Sequence, residues 1–470
     1  MESAIVGMDA PAIAHAVGEG LLDPVAVVDA FLAQIRLTNP AVNALVDHDE
    51  AAPRAEATAV RARLAAGEVL PMAAVPVVVK DSIWVAGRRI TQGSPLFQDF
   101  RPVQNALPVA RMRQAGAIVI GIGNMPEFGA KEITDNRLYG RTFNPRDLSR
   151  TPGGSSGGCA AALAADMAPL ALGGDGGGSC RRPPAHVGAV GFKPSPGVVA
   201  NPWGFPGTLP GIACICPMGR TVADVRLLFD AIAGRHPADV LSIDPPPASW
   251  QGPSSLRVAY SPQLGLGLPL DDDVRAAVDA GVAAVRRAGL DVHEADPAWP
   301  PGTREARILA IEDAGLAHQF GLRWQVDPGL FDPAIGLQIE RGLGRTAADV
   351  AAAVAVSLGI AAAIACFFTS WDLLLCPTTA CVSWPADRLD PATIGGRPAA
   401  HRDHAAFTPL FNHARTPAIS IPCGTGEGGL PVGLQVIGPW LSDRKLLDAA
   451  SWIEHALIGH EVARLMHWES

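Results

Sequence analysis

A chain of 470 residues, 48% apolar and only 18% charged, has the length and composition to bury a large core, which argues against a disordered protein. Its net charge of −9 comes with no basic stripe, which argues against nucleic acid and anionic membranes as partners. Eight cysteines are scattered without a Cys-x-x-Cys pair, so they read as free, mostly buried thiols of a protein held in a reducing, cytoplasmic compartment.

In chain order, the N-terminus shows no basic segment leading into an apolar stretch, hence no secretory signal. Residues 8 to 66 read as helical, with a capping-type start at "DPVAVVDAFLAQI". From about 74 the pattern becomes β-rich runs alternating with helices: "AVPVVVKDS", then "VARMRQAG", then "AIVIGIG". Two Gly/Ser clusters follow, Gly153 to Gly158 and Gly173 to Ser179, flanking an Ala-rich stretch long enough for one helix. "DPPPASWQGPSS" (244–255) reads as a linker. After it, "LRVAY", "DVRAAVDAGVAAVRRAG" and "LDVHEA" form one β-α-β pattern, and helices are expected over 303–371. Residues 350–368 run for 19 positions without a charge. Eight of those residues are alanine, so a helix in the core or at a subunit contact is expected there rather than a membrane span. Sheet pattern returns at "DLLLCPT" and "PAISIPCG", and His401 and His404 of "HRDH" read as a solvated loop rather than a metal site. The alternation as a whole predicts an α/β sheet covered by helices.

The chemistry begins with an imbalance: only four of the 37 basic residues are lysines, namely Lys80, Lys131, Lys193 and Lys445. Lys80 ends "VPVVVK", the close of an expected buried strand. Burial favours the neutral amine, a response arginine cannot make, and a neutral lysine can serve as a base. The plainer alternative is that Lys80 pairs with Asp81 or reaches the surface. In "GGDGGGS" three glycines precede Ser179, and their N–H groups can converge on one point as an oxyanion hole. "PGGSSGG" offers two more hydroxyls for a proton relay. No G-x-x-x-x-G-K-[ST] pattern occurs, which argues against a phosphate cradle. "NPRDLSRTP" is a poor strand, which argues against a nucleophile elbow at "GGSSGG".

These residues resemble a known family. "TPGGSSGGCAAALAADMAPLALGGDGGGSCR" with "PAHVGAVGFKPS" resembles the defining stretch of the amidase signature family of serine amidohydrolases. "VPVVVKDSIWVAG", "AGAIVIGIGNMPEF", "LLLCPTTA" and "PAISIPCGTGEGGLPVGLQVIGP" are similar to it as well, so the resemblance spans nearly the whole chain. It implies a single domain over 1–470: a helical segment 1–66, a signature core 74–243, a β-α-β unit and helical substrate side 256–371, and a return to the core sheet over 372–470. The implied fold is α/β, a mixed central sheet surrounded by helices. The implied catalytic residues are Lys80, Ser155 (on a cis peptide) and the nucleophile Ser179, with the backbone N–H groups of Gly176, Gly177, Gly178 and Ser179 as oxyanion hole. Ser156 is then a supporting hydroxyl, Asp175 and Arg181 brace the nucleophile loop, and Asn144 steadies it. Gly129 offers a carbonyl to the substrate. The expected partners are a small-molecule amide and water, often with a homodimer, and no metal or organic cofactor is implied.

The chain also departs from the family pattern. Gly174 and Cys180 replace a common threonine and isoleucine, and Arg182 stands where an apolar residue or glutamine is usual. Arg182, Lys131 and Glu132 therefore mark a pocket suited to a small polar or anionic acyl group, unless all three point to solvent. Glutamine at 182 would be expected in the glutaminase-type component of a glutamyl-tRNA amidotransferase, the nearest alternative function. An esterase using the same triad is another.

Overall fold

The computed structural model describes residues 2–247, 250, 252–304 and 309–458. The tail of the expected 372–470 segment, residues 305–308 of the expected helical region and three linker residues lie outside the described residues.

Eleven strands form one sheet. In chain order they are β1 (Leu45–Asp47), β2 (Pro76–Lys80), β3 (Ile118–Gly123), β4 (Leu170–Asp175), β5 (Val190–Lys193) and β6 (Cys214–Gly219). The second half adds β7 (Arg257–Tyr260), β8 (Asp291–Glu294), β9 (Leu373–Pro377), β10 (Ala418–Thr425) and β11 (Pro431–Ile437). Their spatial order is β1-β3-β2-β4-β6-β5-β10-β11-β9-β7-β8. β3, β2 and β4 are mutually parallel, β9, β7 and β8 likewise, and antiparallel pairs join the two groups. The sheet is therefore mixed. "PVVVK" and "IVIGIG" are buried at every position, as strands covered on both faces must be.

Helix Pro24–Val42 starts where the sequence signals it: the Asp23 carboxylate accepts from the amides of Val25 and Ala26, with proline at the first helical position. It stops at Asn43, whose left-handed backbone (φ 52°) turns the chain into β1. That edge strand interrupts a stretch expected to be helical throughout. The Ala-rich stretch also divides. Helix Gly157–Ala164 ends before a left-handed turn at Asp166, and the rest enters the sheet, where Leu170–Leu172 pair with Val77–Val79. The second glycine cluster thus begins inside a strand.

The uncharged stretch forms helix Ala347–Phe367, but it is not a core helix. Only Ala353, Ser357, Ile360 and Ile364 are buried, and Leu358 is 56% exposed. Alanine exposes little apolar area, so a helix built mostly from it tolerates water on three sides. By length and composition alone, this helix and Pro24–Val42 are both apolar enough to cross a membrane.

Candidate active site

Parallel pairing puts the carboxyl ends of β2 and β4 side by side, so Lys80 and the loop after Asp175 face the same edge of the sheet. Helix Gly157–Ala164 docks directly on this edge. A Cβ on Gly158 would stand 2.3 Å from the Asn124 backbone nitrogen, so only glycine permits the approach. Ser155 lies one residue before the N-cap, Ser156, of that helix, on a cis Gly154–Ser155 peptide.

Lys80, Ser155 and Ser179 form one connected chain: Lys80 Nζ lies 2.8 Å from Ser155 Oγ, and Ser155 Oγ lies 3.0 Å from Ser179 Oγ. All three are buried, and burial pulls the Lys80 pKa down against the opposing influence of Cys180, Cys159 and Asp175. Asp81 is not its partner; that carboxylate accepts from the Thr91 and Gly93 amides and the Thr91 hydroxyl. Ser156 turns away, its Oγ 3.3 Å from the Gly174 carbonyl and 3.5 Å from Cys180 Sγ, so only one of the two loop hydroxyls lies between lysine and Ser179.

Asp175 and Arg181 form a fully buried ion pair, not a surface one. Burial alone would raise the Asp175 pKa. The Arg181 charge and hydrogen bonds from Arg181 and Asn412 outweigh it and hold the carboxyl well below the usual range. Its oxygens also accept from the amides of Gly178 (2.6 Å) and Cys180 (3.1 Å). Arg181 reaches onward to the Thr408 carbonyl, Gln435 Oε1 and Asn412 Oδ1. This corrects one expectation: the Gly178 amide, counted as an oxyanion donor, is engaged by Asp175. Among the described residues, the amides of Gly176, Gly177 and Ser179 have no protein acceptor. Asn144 donates to the His186 carbonyl and Ser383 Oγ, tying its loop to the helix that follows Ser179.

A cavity of about 650 Å³ opens over Ser179. One wall is aromatic, with Phe128 stacked on Phe320 at 3.9 Å and Phe205 beside them. Gly129 lines it close to Ser155, in the left-handed conformation. Arg182, Glu132 and Arg402 line it too.

Arg182, Lys131 and Glu132 do not point to solvent; all three are buried. Two of them are matched within the protein. Lys131 Nζ lies 2.6 Å from Asp332 and 3.5 Å from Asp135. Glu132 pairs with Arg402 at 2.9 Å, and Arg402 also holds Glu312. The "HRDH" reading as a solvated loop fails for His404, which is 1% exposed against Trp384 and 3.3 Å from Asp390. His401 is partly exposed and bonds the same carboxylate. Among the described residues no group of three His, Cys, Asp or Glu side chains is placed to hold a metal ion. Thr408, Asn412, Gln435 and Arg402, which anchor the site from the C-terminal half, carried no signal in the sequence.

A family profile described as "Amidase" matches residues 26–447. The chain is 36% identical to the A-type component of the Thermus thermophilus glutamyl-tRNA(Gln) amidotransferase, over 94% of this chain and 95% of that one. It is 34% identical to an acylamidase of Rhodococcus erythropolis, over 95% of each. Among solved structures, a bacterial aryl acylamidase of the amidase signature enzymes superposes with a TM-score of 0.89 at 25% identity, covering 98% of this chain and 97% of the other.

Proposed function

This chain belongs to the amidase family and is a serine amidohydrolase acting on C–N bonds, from which we propose that Ser179 is its nucleophile, Ser155 the proton relay and Lys80 the base. Neutral Lys80 takes a proton from Ser155 as Ser155 takes that of Ser179, and Ser179 Oγ adds to the amide carbonyl carbon. The amides of Gly176, Gly177 and Ser179 hold the resulting oxyanion. Ser155 then protonates the leaving nitrogen, the C–N bond breaks and the amine departs. Water then attacks the acyl-enzyme, its proton passing through Ser155 to Lys80; the bond from the acyl carbon to Ser179 Oγ breaks as that proton returns through Ser155 to Ser179, and the acid leaves. The observation that carries this reading is the unbroken run from a buried amine through one hydroxyl to another, at 2.8 and 3.0 Å.

The aromatic wall supports an amide with an aryl or bulky apolar part, and the structural likeness to an aryl acylamidase points the same way. A panel of anilides, aliphatic amides and matched esters, with release of ammonia, amine and alcohol followed together, tests the reading. Fastest turnover of anilides and labelling of Ser179 by a fluorophosphonate are expected. An unlabelled Ser179, or esters cleaved with no amide turnover, would defeat it. Eight free thiols support a cytoplasmic setting. The uncharged exposed face of Ala347–Phe367 supports a homodimer, which sedimentation would reveal.

The identity to an amidotransferase component favours a second reading, in which the same residues release ammonia from glutamine for a partner. Glutaminase activity that appears only with a co-purified partner would establish it.

A further inference from the structure

Two arginines follow each other after Ser179 and do different work. Arg181 neutralises Asp175. Arg182 is 4% exposed, yet among the described residues it bonds no carboxylate. Its guanidinium meets oxygen atoms of the backbone and one hydroxyl instead. Nη1 donates to the Gly177 carbonyl and, at 3.1 Å, to Thr408 Oγ1, while Nη2 donates to the Gly154 carbonyl at 3.4 Å. Glu132, the acidic neighbour with the largest influence on it, is itself paired with Arg402.

Resting on the acyl-transfer reading above, we infer that Arg182 is a positioning residue: by holding the Gly177 and Gly154 carbonyls it locks the loop of Ser179 and the oxyanion amides to the loop of Ser155. The Gly177–Gly178 peptide is fixed at both ends. Its carbonyl accepts from Arg182 and from Thr408 Oγ1 (2.8 Å), and its N–H donates to Asp175. Gly178 sits there at φ +119°, where a Cβ would stand 2.0 Å from Thr408 Oγ1, so only glycine fits against the threonine. The flanking amides of Gly177 and Ser179 are thereby left for the substrate. At its other end the guanidinium reaches the carbonyl of the peptide that leads into Ser155. A planar fork with five fixed donors can hold two carbonyls on separate loops in one geometry, which a flexible lysine cannot.

The test is the rate of fluorophosphonate labelling at Ser179, with kcat and KM for a neutral anilide and for one bearing a carboxylate. Arg182→Gln should label to the same final extent but about 100-fold more slowly, and kcat should fall by a similar factor for both substrates with KM little changed. Arg182→Lys should fall between, and Thr408→Val, which keeps the charge, should slow labelling about tenfold. Equal labelling rates in Arg182→Gln and wild type would overturn the inference. So would an unchanged kcat with KM raised only for the carboxylate substrate, which would make Arg182 a receptor for that group. If Arg182→Gln fails to fold, an unslowed Thr408→Val overturns it alone. Failure of wild type to label would instead sink the acyl-transfer reading beneath it.

Discussion

Lys80 and Lys193 end two strands of the same sheet, β2 and β5, and burial pulls the pKa of both down. Lys193 is the more deeply buried, fully covered against 3% exposure for Lys80. On burial alone Lys193 would be the better base. Its partner, however, is the Pro194 carbonyl at 3.1 Å, which has no proton to give. Lys80 meets a hydroxyl at 2.8 Å, and that hydroxyl meets another at 3.0 Å. Burial makes an amine easy to neutralise; only a hydroxyl partner makes it a base.

Paired substitutions at the two lysines are the hardest test of that contrast. Lys80→Met should cut kcat/KM by about 10⁴-fold or more, whereas Lys193→Met should cost less than about tenfold. Comparable inactivation by both, in folded protein, would mean that the hydroxyl chain is not what distinguishes them. The serines sharpen the point: Ser155→Ala should lower kcat about 10³-fold and Ser156→Ala less than about tenfold, since only the first lies between Lys80 and Ser179. Steady-state kinetics on one anilide measures all four.

Asp175 lies within electrostatic reach of both lysines, so its pairing supports both regions. Removing its partner with Arg181→Met leaves a buried carboxylate uncompensated. The expected loss is about 3–5 kcal/mol in urea unfolding, whereas breaking an exposed pair such as Arg36–Glu50 should cost far less. A much smaller loss would show that the Asn412 amide and the Gly178 and Cys180 N–H groups suffice to hold the Asp175 carboxylate.

The contrast between the lysines also marks what the sequence could reveal. Lys80 and Ser179 carried local signals, an isolated lysine at the end of an apolar run and a serine closing a glycine cluster, whereas the choice of Ser155 over Ser156 came from the resemblance to the family. Gly178 was assigned to the oxyanion hole through the resemblance, and its hydrogen bond to Asp175 gives it another role. Thr408 and Gln435, which hold Arg181, stand 227 and 254 residues further along the chain, Gln435 within a stretch noted for its resemblance but without any individual signal, and only tertiary packing brings them to Arg181. β1 was missed because three residues after a left-handed Asn43 leave too short a pattern to read. For Ala347–Phe367 the core half of the expectation failed, because an uncharged run looks apolar even when alanine supplies little apolar surface; the subunit-contact half does not depend on burial within one chain.

The smallest effect expected is thermodynamic and belongs to Lys193. With its folded pKa lowered by burial, there is a window, from that lowered value up to the unfolded value near 10.5, in which the unfolded chain holds a proton that the folded lysine lacks. Unfolding then takes up a proton, so in this window wild-type stability rises with pH, at no more than about 1.4 kcal/mol per pH unit from this residue. Above the unfolded value the penalty vanishes; below the folded value it is at its full size. Lys193→Met has no such penalty, and against it stands the lost hydrogen bond to Pro194, about 1 kcal/mol. The variant should therefore be the more stable of the two at pH 7, with the advantage shrinking as the pH is raised towards 10.5. Urea unfolding of the two proteins at several pH values checks this, and an advantage that grows with pH would mean that Lys193 is charged in the folded protein.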